Sequence, residues 1–180
     1  MTLKQNPMVA TMSRLDSSEH PPYYGKYIQL VPEGDIVQTM GLQIEDTLRF
    51  LRSVPPLSGD RRYAPDKWSI KEVVGHLMDC ERVFAQRALY FARNCPGPLP
   101  SIEPEEWVTV AGFGRMQLGD LINEFELVRR SNVLLFKGLS DEAWTRRGIA
   151  SDMEFTVRSF AYIIVGHERH HLEILKTRYL

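Results

Sequence analysis

From Pro32 to Ser53 the apolar residues Val37, Met40, Ile44, Leu48 and Leu51 recur at steps of three and four, with polar residues between them. That period predicts an amphipathic helix, which Pro55-Pro56 ends. A second predicted helix starts at Ser69 and runs to about Asn94, before the loop CPGPLP. Ser69-Ile70-Lys71-Glu72 reads as a capping box, in which the serine oxygen accepts an orphan amide proton and Glu72 reaches back. A third helix is expected over Leu118–Lys137, with Leu121, Phe125, Val128, Val133 and Phe136 as core positions and Gly138 as its stop. Ser140 to Trp144 adds a short turn capped by the serine. The fourth helix runs from Thr156, an N-cap, to Arg178. No segment alternates over the length of a strand, so strands are expected to be minor or absent. Cys95–Gln117 is a long linker, rich in Gly and Pro and carrying Trp107, of the kind used for lids and crossovers. Residues 1–22 are polar, lack a period and end in Pro21-Pro22, which predicts a flexible N-terminal tail holding His20. The expectation is an all-α four-helix-bundle domain over residues 23–180.

Composition narrows the class. The 180 residues are 43% hydrophobic with a net charge of −1, enough apolar material for a core and no run of like charge. Neither a nucleic-acid groove nor a polybasic membrane patch is indicated. The longest strongly apolar run, Phe160–Val165, is far too short to span a bilayer. The N-terminus lacks the continuous apolar stretch of a signal peptide. Cys80 and Cys95 make no disulfide framework. The reading is a reduced, cytoplasmic protein.

Three of the five histidines lie in Gly166-His167-Glu168-Arg169-His170-His171. At about 100° per residue, His171 falls about 40° from His167 and one turn on. Phe160, Ile163, Ile164 and Ile174 share that stripe, so the pair sits on the core-facing side. Two imidazoles a turn apart can share one metal ion. His76, beside Val73, Cys80 and Val83 on the second helix, is the candidate third ligand. A histidine there is costly to bury unless hydrogen-bonded or metal-bound. Three neutral imidazoles would leave one coordination position open, as in catalytic zinc sites. The bland alternatives stay open: a crowded helix end for the pair, and a satisfied core histidine for His76. Cys80 reads as a small buried hydrophobe, with a fourth-ligand role as the alternative. Asp79 and Glu72 could orient His76 or simply be solvated.

The segment RYAPDKWSIKEVVGHLMDCERVFAQRAL, followed by YIIVGHERHHLEILKTRYL, closely resembles the DinB/YfiT-like superfamily. The resemblance runs from about Tyr24 to the end and includes YIQLVPEGD and the AGF of the linker. It implies a four-helix bundle of up-down-down-up topology with a long crossover linker. It implies a divalent metal (zinc, nickel or iron) on His76, His167 and His171. His170 falls where many relatives also have histidine, though not as a ligand. Relatives include metal-dependent hydrolases, enzymes that transfer low-molecular-weight thiols such as bacillithiol, and mycothiol-dependent isomerases. Many carry Gly-Gln after the histidine pair; Leu172-Glu173 stands here.

The function expected is thus a metal-dependent enzyme, a thiol S-transferase or a hydrolase, with a small-molecule substrate and no nucleic-acid or membrane partner. Its acid or base candidates are Glu168 and His170, with Tyr162 and Glu173 behind them. Trp107 and Phe113 are expected near the substrate. A second class is a non-catalytic metal-binding bundle, such as a homodimeric stress-response protein. His167-Glu168-x-x-His171 also spells the zinc-protease motif, with Glu168 as general base. Such proteases take a third ligand downstream, where only nine residues follow His171. A di-iron bundle would need a second Glu-x-x-His, which is missing.

Overall fold

The computed structural model describes residues 15–180. Its helices are α1 (Gly25–Ile28), α2 (Ile36–Ser53), α3 (Ile70–Ala92), α4 (Pro104–Ala111), α5 (Leu118–Lys137), α6 (Asp141–Thr145) and α7 (Val157–Ile174), the last continuing as a π-turn over Leu175–Tyr179. The starts follow local chemistry. Asp35 accepts from the Val37 and Gln38 amides, so α2 begins after Gly34, which turns the chain at φ 125°. Ser69 and Glu72 form the capping box of α3. Thr156 accepts the Ser159 amide at 3.1 Å and starts α7. Ser140 precedes α6, but its side chain makes no capping bond there.

Helix α2 packs on α5 and α7, and α3 packs on the same two. Directions follow from paired residues. Arg52 meets Glu126 and Glu45 meets Arg130, so α2 and α5 are antiparallel. Gln43 meets Val165 while Lys176 lies over Phe50, so α2 and α7 are parallel. His76 meets His167 while Phe91 meets Phe160, so α3 and α7 are antiparallel. The topology is up-down-down-up, as the resemblance implied.

The apolar core divides in two. One cluster gathers Met40, Phe84, Phe136, Phe160 and Val165; the other gathers Ile44, Leu77, Phe125 and Leu172. Along each long helix, buried polar residues sit at the division: Gln43 and Thr47 on α2, Glu81 on α3, Arg129 and Asn132 on α5, Glu168 on α7.

Three features add to the expected bundle. The predicted tail, residues 1–22, falls partly outside the described residues, which begin at Leu15. Residues 15–22 pack on the bundle: Leu15 is buried, and Glu19 pairs with the buried Arg158, whose charge needs a carboxylate. The linker holds α4 and a 3-10 turn, Phe113–Arg115. Before α7 lies an antiparallel hairpin, β1 (Arg147–Ala150) with β2 (Met153–Thr156). Its two-residue turn puts Ser151 and Asp152 at φ 52° and 57°, the left-handed conformation that tight hairpins favour. Among the described residues, no helix is long and apolar enough to cross a membrane.

Candidate metal centre

Val-Gly-His occurs twice, as Val74-Gly75-His76 on α3 and Val165-Gly166-His167 on α7. The antiparallel packing of these helices brings the two histidines together. Each glycine leaves room for a cover. The Phe113 ring lies where a side chain at position 75 would be, and the Tyr27 backbone lies where one at 166 would be. Gly166 thus lets α1 close on α7, so that the Tyr27 ring reaches His167 at 5.2 Å and His170 at 5.3 Å between centroids.

The Nε2 atoms of His76 and His171 each lie 3.1 Å from Nε2 of His167. Trp68 leans over His76 at 4.6 Å and stacks on His171 at 6.4 Å. The Trp68 backbone is anchored by the Tyr179 hydroxyl, which donates to its carbonyl at 2.5 Å. Burial pushes the imidazoles toward the neutral form: His76 down to about 4, His171 to about 3, and His167 well below its ordinary value. For His167 and His171 the neighbouring imidazoles and Lys26 push the same way.

Neutral imidazole is the form that binds metal. Two nitrogens at about 2.0–2.1 Å from a shared ion stand roughly 3.0–3.4 Å apart, depending on the angle. The observed 3.1 Å separations match that spacing. One Nε2 has a single proton or a single lone pair, so mutual hydrogen bonds cannot satisfy all three atoms. The site fits a divalent ion held by His76, His167 and His171, which form the one such group among the described residues.

A family model for the DinB superfamily matches residues 41–175. The chain belongs to the DinB superfamily. No curated protein matches the sequence. Among solved structures, it is similar to YfiT from Bacillus subtilis, "a probable metal-dependent hydrolase with an unusual four-helix bundle topology". The two share 14% identity and a TM-score of 0.64, over 91% of this chain and 92% of that one. It is also similar to the mycothiol-dependent maleylpyruvate isomerase, at 12% identity and TM-score 0.66. That match covers 81% of this chain but only 61% of the isomerase. At these identities the likeness concerns the fold.

In this DinB-superfamily bundle the other candidates stand outside the three-histidine group. Glu168 is 1% exposed and faces the core. Its carboxylate pairs with Arg129 Nη1 at 2.7 Å and accepts from Thr47 and Gln43. Arg129 in turn donates to Glu81 at 2.6 and 2.9 Å, and Asn132 adds a bond at 3.2 Å. A carboxylate so engaged is not poised to take a proton from water, which removes the physical basis of the protease reading. His170 is half-buried against Tyr27 and His171. Tyr162 is buried, which pushes its hydroxyl pKa up, and Glu173 is exposed. Cys80 has its sulfur 3.6 and 3.7 Å from the His76 ring nitrogens but does not join the ligand group. Burial pushes its thiol up to about 12 and keeps it neutral. Glu72 is used by the α3 cap and Arg62, and Asp79 faces Arg82. Trp107 lines a shallow groove with Glu106, Val110 and Ala111 on the outer face of α4.

Reasoning from the sequence missed Arg129 and the layer around it, and also Trp68 and Tyr27 as covers. A signal for the layer was there. Arg129 and Asn132 stand in the apolar stripe Leu121, Phe125, Phe136, and Glu81, Gln43 and Thr47 stand likewise in theirs.

Proposed function

We propose that this protein is a divalent-metal-dependent enzyme that holds its ion on His76, His167 and His171 and uses a low-molecular-weight thiol. The supporting observation is the convergence of three neutral imidazole nitrogens with no carboxylate among them. A bound divalent ion would supply Lewis acidity, making a coordinated thiol or water acidic enough to yield thiolate or hydroxide near neutral pH. The chain's own residues prepare for this. Burial keeps the ligands deprotonated on their metal-facing nitrogens. Trp68 and Tyr27 exclude water from two sides. An all-imidazole set leaves the full positive charge to attract an anionic sulfur. His170 is a titratable side chain outside the ligand set that packs on His171, 5.2 Å away between ring centroids. We assign it the role of proton carrier.

Similarity to a mycothiol-dependent isomerase supports thiol chemistry, and similarity to YfiT supports hydrolysis as the second reading. A cytoplasmic location and a homodimer belong to the same proposal.

Purified protein is expected to carry about one divalent ion per chain by elemental analysis, and His76→Ala and His171→Ala to lose it. Undiminished metal in His76→Ala would overturn the three-histidine site. In cobalt-substituted protein, bacillithiol, mycothiol or a simpler thiol is expected to shift the spectrum by sulfur ligation. Conjugation of monochlorobimane should then require both metal and thiol. Ester or amide hydrolysis with metal alone, and no response to any thiol, would leave the hydrolase reading. Stoichiometric metal with neither activity would favour the non-catalytic bundle.

A further inference from the structure

The layer beside the triad contains two carboxylates, Glu81 and Glu168, and one guanidinium, Arg129, each no more than 3% exposed. All remaining bonds to them come from neutral groups: Asn132, Thr47 and Gln43. The layer sets two carboxyl groups against one guanidinium, so one acidic group has no cation of its own. An uncompensated charge in a bundle core is strongly unfavourable. Other buried cations do not serve it. Arg158 belongs to Glu19 and Lys71 to Asp60. Arg87 donates to the Pro100 carbonyl and the Ser151 hydroxyl. It lies six residues after Glu81, about 240° further round α3.

The triad is different in kind. Its imidazoles are neutral, so an ion held there keeps its charge of two. Glu168 directly follows His167, and Glu81 follows His76 by five residues, about 8 Å of helix rise. The surplus carboxylate and an ion held by the triad would therefore be neighbours in a medium that screens poorly.

We propose that the Glu81–Arg129–Glu168 layer supplies the counter-charge of the metal centre, so that its surplus carboxylate tightens metal binding without touching the ion. This rests on the metal reading above. It predicts opposite effects in the two states of the protein. Removing one negative charge relieves the metal-free core and weakens the hold on the ion. A layer that only props up the fold would lose stability and leave affinity alone.

The test is Glu81→Gln in the full chain, with cobalt(II) affinity by competition titration and melting of the metal-free protein. Affinity is expected to fall about tenfold or more. The cobalt d–d bands should keep their positions, and the metal-free melting temperature should match or exceed wild type. Unchanged affinity overturns the proposal. So does a joint drop in affinity and metal-free stability, which would mark Glu81 as a structural prop. If Glu81→Gln does not fold, Glu168→Gln carries the same two readouts. Wild type that takes up no cobalt defeats the metal reading itself; wild type that binds, with both variants binding equally well, defeats only the counter-charge.

Discussion

The Glu81–Arg129–Glu168 layer and the His76–His167–His171 layer both put polar side chains where a bundle ordinarily buries leucine. The first is built from unlike groups, donors facing acceptors, with all four long helices contributing. Its bonds close within the protein, apart from the side-chain oxygen of Gln43 and Nη1 of Arg129, which makes an ion pair with Glu168 but no hydrogen bond. The second is built from like groups: three nitrogens of one type, from two helices, pointed at one another. No arrangement of protons satisfies them. The difference separates two reasons for burying polarity. Unlike groups hold the fold together, whereas like groups pointed at one another call for something from outside.

Breaking the first layer should have the largest effect. Arg129→Ala strands two buried carboxylates and is expected to destabilise the protein by about 3–5 kcal/mol. Chemical denaturation measures it. His167→Ala should leave the metal-free protein within about 1 kcal/mol of wild type, since it removes crowding rather than a partner. A comparable loss in both variants would erase the distinction.

Acid should act next, and on the second layer. His76 and His171 are held at about 4 and about 3, below the ordinary 6.5. The unfolded chain therefore takes up their protons first. Metal-free stability is expected to be level above about pH 7 and to fall steadily between pH 6.5 and pH 4. Burial moves the Glu81 carboxyl the other way, upward, so that group resists the fall. Melting curves across that range should steepen in pH dependence in Glu81→Gln and flatten in a His76→Ala/His171→Ala double variant. A wild-type curve with no slope would mean the imidazoles are not held neutral.

Gly166→Ala is the mildest. The added methyl meets the Tyr27 backbone, an overpacking expected to cost about 1–2 kcal/mol. It should also shift the cobalt spectrum, because Tyr27 covers His167. Gly41→Ala, with nothing within 4 Å of the added carbon, is the control and should be neutral or slightly stabilising.

Much of this was legible beforehand. The four long helices, the Ser69 cap, the Thr156 cap and the meeting of His76, His167 and His171 follow from periodicity, capping chemistry and the resemblance. What was not legible has physical reasons. The strands are four residues each, too short for alternation to stand out. Helix α4 is eight residues in a Gly- and Pro-rich stretch, with only Val108 fully buried. The engagement of Glu168 escapes a helical wheel, which shows one helix at a time. Its partners Arg129, Thr47 and Gln43 come from two others, and only packing brings them to it.

The ring order of the helices bears on how the chain reaches this state. Each of α2 and α3 finds its main partners in α5 and α7, so the two stand diagonally rather than as a hairpin. The first half of the chain therefore has little helix-on-helix interface of its own to fold around. Collapse must wait for partners some 70 to 120 residues away, as in the Arg52–Glu126 and Thr47–Glu168 contacts. Folding is then expected to be slower than for an up-down-up-down bundle of the same size. Splitting the molecule between α3 and α4 should yield two pieces that gain structure only on mixing, and the histidine cluster, drawn from α3 and α7, would re-form on their reunion.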